Sequence, residues 1–167
     1  MYELLRKPEE KHKKSSRLWF CLVLAVLMLV SVIIPMIWSV WFRHQFYDFV
    51  SDLSNSTLYA YRHVSLNLTW QGQHKVITNS GFYGPYRVLS AAGVGKAVSR
   101  PPDSPPDVLL EYGDGSSLSL WQTDLNPQQD LERTEGLLVH YVDPAGEAFT
   151  YRTGTVTLDI LYASLYP

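Results

Sequence analysis

One cysteine in 167 residues, and not one charged side chain between Leu18 and Phe42, are the scarcities around which this chain is organised. A lone cysteine closes no intramolecular disulfide, so any folded part must hold through its core, and cysteine usage does not disclose the compartment. Cys21 itself sits in the uncharged run, where it reads as an apolar filler. Catalytic and metal-binding patterns are equally scarce. His12, His44, His63, His74 and His140 are scattered, and none stands at zinc-ligand spacing from another histidine or from the cysteine. The nucleophile motif G-x-S-x-G is missing. Residues 93–96, GVGK, fall short of a phosphate loop, which needs glycine where Ser90 stands and Ser or Thr where Ala97 stands. Asp103, Asp107, Glu111 and Asp114 cluster in sequence, but two lie in a proline-rich stretch and one in a turn, which reads as a solvated acidic edge. No catalytic, cofactor-binding or metal-ligating residue is singled out, and no cofactor is expected.

What the chain does have is the run itself. The 25 residues from Leu18 to Phe42 include fifteen Leu, Ile, Val or Phe. As a helix they would reach roughly 37 Å, enough to cross a hydrocarbon core of about 30 Å with some tilt. The run is apolar all round, unlike the one-sided stripe of a core helix. It is longer than the apolar part of a cleaved signal peptide and ends in Trp38, Trp41 and Phe42, poor residues for a cleavage site. Trp19 at one end and Trp38 with Trp41 at the other read as interfacial anchors of an uncleaved signal anchor. Pro35 inside the run implies a passive kink.

Basic residues orient the span. Arg6, Lys7, Lys11, Lys13, Lys14 and Arg17 precede it, while the twenty residues after Phe42 carry only Arg43 and Arg62. The basic side resists translocation, so the expected topology is a cytoplasmic N-terminus, a single pass through the plasma membrane, and the larger C-terminal part outside. The tail also favours an anionic lipid surface.

Beyond the span, Phe42, Phe46, Phe49 with Val50, and Leu53 recur at helical spacing. They predict an amphipathic stalk that rests on the outer domain, lies in the lipid interface or pairs with another copy, the first being preferred. Residues 54–57, SNST, are expected to break that helix. The parts are then 1–17, a cytoplasmic tail; 18–42, the signal anchor; 43–57, the stalk; and 58–167, an extracytoplasmic α+β domain.

Alternation predicts strands in that domain. Val64, Leu66, Leu68 and Trp70 share one face; 71–74 turn; 75–78 return. A helix is expected from Gly84 or Pro85 to Ala92, ended by Gly93. Residues 93–107 read as a stiff surface loop, with Pro102 and Pro105 in a PxxP spacing. Val108, Leu110 and Tyr112, then Asp114-Gly115, then Leu118 and Leu120 opposed to Ser117, Ser119 and Trp121, mark a hairpin with a two-residue turn. Asn126-Pro127 starts either a short helix or a polar loop ending at Gly136. A second hairpin turns at Asp143-Pro144-Ala145-Gly146, with Leu137, Val139 and Tyr141 on one face and Leu138, His140 and Val142 on the other. Residues 155–167 read two ways, since Val156, Leu158 and Ile160 alternate as in a strand while Leu158, Leu161, Tyr162 and Leu165 repeat as on a helix; a short helix capped by Thr157 is preferred. The fold class is therefore α+β: an N-terminal transmembrane helix with an amphipathic stalk, then an antiparallel sheet of five or six strands with one to three small helices on one face.

The part after Leu18 to Phe42 carries eight basic and thirteen acidic residues, which argues against nucleic acid as a partner. Asn55-Ser56-Thr57 and Asn67-Leu68-Thr69 are glycosylation acceptor patterns by sequence. Thirteen aromatics from Tyr59 to Tyr166 supply both core filling and candidate contacts. The expected function is non-enzymatic: an outward-facing domain held in the lipid bilayer that binds another envelope or membrane protein, with oligomerisation through the stalk as a further option. The alternatives are an accessory subunit acting through its membrane helix and stalk, and an enzyme whose site is assembled from distant residues. A basic tail, one span and a small cysteine-free outer domain together resemble, by layout, envelope proteins of Gram-positive bacteria.

Overall fold

A computed structural model describes residues 9–123 and 136–167, with the backbone alone for 9–18 and 79. The chain is α+β and divides into two compact units, Met1–Trp41 and Phe42–Pro167. The expected helix or loop at Asn126 lies outside the described residues.

The uncharged run is helical throughout, within α1 (Glu9–His63), the helix continues past Pro35, and all of the run but Phe42 lies in the first unit. Its most apolar window has a mean hydropathy of 3.0, and none of that window is buried. By length and composition it is able to cross a membrane.

The second unit is a seven-stranded antiparallel sheet with helices on one face. The strands are β1 (Leu66–Trp70), β2 (Gln73–Lys75), β3 (Lys96–Ala97), β4 (Val108–Tyr112), β5 (Ser117–Thr123), β6 (Gly136–Val142) and β7 (Ala148–Arg152), in the order β2-β1-β4-β5-β6-β7-β3. Register puts the apolar members of each strand in rows. Leu68, Leu110, Leu118, Tyr141 and Phe149 lie side by side, as do Trp70, Val108, Leu120, Val139 and Tyr151. These rows face the helices, and all but half-buried Phe149 are buried. Asn67, Glu111, Ser119 and His140 occupy the opposite face, as period-two alternation requires.

The stalk stripe is part of this core. Phe42, Phe46, Phe49 and Leu53 are buried together with the sheet residues, and Phe49 sets its ring 5.4 Å from Tyr141 and 5.6 Å from Phe149. Phe49 is 2% exposed. Phe49→Ala is expected to cost about 3–5 kcal/mol, read as a drop in the urea midpoint with an unchanged slope.

Residues 54–57 do not break the helix, contrary to the sequence expectation: α1 runs through them to His63. Ser56, Thr57 and Ala60 continue the inward stripe of Phe49 and Leu53, and all three are buried. Packing on the sheet outweighs the weak helix propensity of Ser, Asn and Thr. The chain then turns at Val64, whose φ is 50° and whose side chain is exposed rather than core-facing as expected. Leu66, Leu68 and Trp70 keep the expected inward face.

Other differences are local. The first hairpin has a two-residue turn, Gln71-Gly72, both with positive φ, so its return strand is β2 rather than 75–78. The second turn has three residues rather than two. Gly113, Asp114 and Gly115 lie between the paired Tyr112 and Ser116, and Gly115 takes the left-handed conformation at φ 94°. The 143–147 turn repeats that geometry, with Gly146 at φ 89°. Within the expected loop 93–107, β3 adds two residues to the free side of β7. The expected α2 (Gly84–Ala92) is present with Gly93 after it, and α3 (Leu158–Leu165) is capped by the Thr157 hydroxyl, which accepts from the Ile160 N–H. A 3₁₀ turn, Asn79–Tyr83, precedes α2.

Candidate functional site

Where α1 passes the β6–β7 turn, a shallow cleft of about 120 Å³ opens. Its floor is aromatic, from Phe49, Tyr141 and Phe149, and its walls carry Asp48, Asp52, Asp143 and Glu147. Ligand pockets are usually several times larger, about 300–1,000 Å³, so a side chain or small ion matches its size better than a metabolite. Local structure explains part of the acidity. Asp143 Oδ1 accepts from the Ala145 and Glu147 N–H groups and holds the turn, while Asp48 pairs with His44 at 2.7 Å.

Asp52 is the carboxylate most affected by this setting. Burial, then the charges of Asp143 and Asp48, raise its pKa above the ordinary aspartate value. A carboxylate with a raised folded-state pKa contributes stability at low pH and loses it as pH rises through that pKa. Asp52→Asn is therefore expected to raise the melting temperature at pH 7, with the gain shrinking as pH falls into the ordinary carboxylate range.

A second polar group lies deeper, where α1 crosses the β4–β5 hairpin. The Ser56 hydroxyl and the Tyr141 phenol are 3.0 Å apart and buried. The Ser116 N–H and hydroxyl both donate to Asp114 Oδ1, at 2.9 and 2.7 Å. Burial pushes the Asp114 pKa up, but hydrogen bonds from Ser56 and Ser116 outweigh it and leave the carboxyl below its ordinary value. Burial drives the Tyr112 phenol well above the usual tyrosine range. Tyr112 and Thr57 place buried hydroxyls beside one another there. The Ser56–Tyr141 bond ties α1 to the sheet, and the Ser116–Asp114 bonds close the β4–β5 turn.

The sequence-noted residues do not converge. His140 is on the opposite face of the sheet, with Nδ1 2.8 Å from the Thr150 hydroxyl, and burial lowers its pKa. His74 lies 3.2 Å from the Thr69 hydroxyl on the same sheet. Asp107 accepts from the Gln122 N–H, and Trp121 donates to the Ser104 carbonyl, so the proline-rich stretch is tied to β5. Glu111 is exposed. Among the described residues no group of three His, Cys, Asp or Glu is arranged to hold a metal ion.

The aromatics fall into three sets, of which Tyr83, Tyr86, Phe149 and Tyr166 are half-buried. Trp70, Phe82, Tyr112, Trp121, Tyr141 and Tyr151 are buried, whereas Tyr59, Tyr61 and Tyr162 remain exposed. Around Trp70, the ring of Tyr162 packs edge-on at 5.1 Å and the Lys75 ammonium lies 5.0 Å from Tyr162. Sequence reasoning missed the acidic cleft. Its signal was Asp48 and Asp52, four apart on the flank of the apolar stripe, but their partners Asp143 and Glu147 are about ninety residues away in sequence. Comparison with protein-family models, with curated proteins and with solved structures gives no match.

Proposed function

We propose that the chain is a single-pass signal-anchor protein of the plasma membrane. Its N-terminus is cytoplasmic, and residues 42–167 form an extracytoplasmic, non-enzymatic domain that binds another membrane or envelope protein. The observation that carries this reading is the contrast along α1: the apolar window before Trp41 is wholly unburied, whereas Phe42, Phe46 and Phe49 lie in a core. Apolar surface on that scale needs a cover that water does not provide. Orientation rests on the excess of Lys and Arg in residues 1–17. Binding is favoured by exposed Tyr59 and Tyr162, since tyrosines give contact area at low entropic cost.

Photo-crosslinking groups at Tyr59, Tyr162 and Leu27 of the membrane-embedded full chain test the reading. It predicts discrete adducts from Tyr59 or Tyr162. Adducts from Leu27 alone would replace it with an accessory subunit that works through its membrane helix.

A further inference from the structure

The sheet-facing side of α1 is accounted for by the core, but the reverse side is not. His44, Tyr47, Ser51, Ser54, Leu58 and Tyr61 follow one another at spacings of three and four, the repeat of a coiled-coil seam. Phe42, Phe49 and Ser56, which face the sheet, recur every seven residues on the opposite side of the helix. The sheet therefore leaves most of this seam open, with Ser54 half-buried and the Tyr61 ring 5.4 Å from that of Tyr83. Tyr47, Leu58 and Tyr61 are 63%, 38% and 45% exposed. Between them, Ser51 and Ser54 are small enough to let a second helix approach closely.

We propose that this face of α1 is a parallel, two-fold seam between two copies of the chain. Charge placement selects that occupant. In a parallel in-register pair, a residue flanking the seam meets the residue five positions further along the other helix. Arg43 then falls opposite Asp48 of the other copy, joining the His44 that already pairs with Asp48 within its own helix, and two-fold symmetry makes the pair twice. Both residues are exposed. Three polar positions in six make the seam weak in free solution. The inference therefore rests on the membrane reading above, because tethering in one bilayer raises the effective concentration of the second copy.

Cys21→Ser removes the only native thiol, and single cysteines are then placed at Tyr47 or Ser51 on the seam, or at Tyr59 to its side. Mild oxidation of the full chain in membranes is expected to give disulfide-linked dimer at Tyr47→Cys and Ser51→Cys in ~10-fold excess over Tyr59→Cys, as tethered and registered helices require. Arg43→Glu should suppress the dimer, and adding Asp48→Arg should restore it. Equal yields at all three positions, no dimer at any, a disulfide to a different protein, or no rescue by the double exchange would overturn the seam. Carbonate washing of the same membranes separates the two readings. Chain retained without seam-specific dimer removes the seam and leaves the anchor; chain released with the pattern intact removes the anchor and leaves the seam.

Discussion

A chain that begins at Leu58 is expected to show no cooperative unfolding transition, whereas one that begins at Phe42 unfolds in a single step. The difference lies in four side chains. Phe42, Phe46, Phe49 and Leu53 are all buried in the core of the second unit, and each such burial is worth about 1.5–3 kcal/mol. Together they approach the whole stability of an ordinary domain, about 5–15 kcal/mol. The shorter chain also loses Ser56, which bonds Tyr141 inside the core. Urea titration followed by tryptophan fluorescence and by circular dichroism distinguishes the two: coincident sigmoids are expected for 42–167 and a featureless slope for 58–167. A cooperative transition in the shorter chain would mean that the stalk helix adorns the domain rather than building it.

The second large effect concerns the first unit. Fourteen Leu, Ile, Val or Phe residues from Leu18 to Trp41 each favour insertion by roughly 0.3–0.6 kcal/mol near the helix centre, and a central lysine opposes it by about 2.5–3.5 kcal/mol. One charge is therefore tolerated, whereas two cancel about the whole of the gain. Val30→Lys is expected to lower the carbonate-resistant fraction partially, and Val26→Lys with Val30→Lys to abolish it. Neither change touches a buried residue, so the unfolding midpoint of the second unit should stay where it was. Full retention of the double variant would argue that the helix is covered by protein instead of lipid.

Much of the fold was legible because its signals are local. The period-two rows of β4, β5 and β6, the glycine after α2 and the Thr157 cap each depend on a few adjacent residues. The misreadings arose where distant packing decided the outcome. Residues 54–57 read as a break by propensity, yet a spacing of three and four from Phe49 through Leu53, Ser56 and Ala60 was already present beneath the polar composition. Val64 had a strand pattern but sits in the turn that reverses the chain. β3 is two residues long and is a strand only because β7 offers an open edge. The turn at Gly113 to Gly115 shows the same limit at small scale, since Asp-Gly announces a hairpin without counting its residues. The acidic cleft is assembled from two segments about ninety residues apart, and no local pattern connects Asp52 to Asp143.

Residues on either side of the run provide the most direct test of the central claim. With Cys21→Ser as background, single cysteines at Ser16 and Ser99 are exposed in turn to a thiol reagent that does not cross membranes, first on intact cells and then on opened ones. The account predicts labelling of Ser99→Cys on intact cells and of Ser16→Cys only after opening. Labelling of Ser16→Cys on intact cells, with Ser99→Cys protected until the membrane is breached, would contradict it.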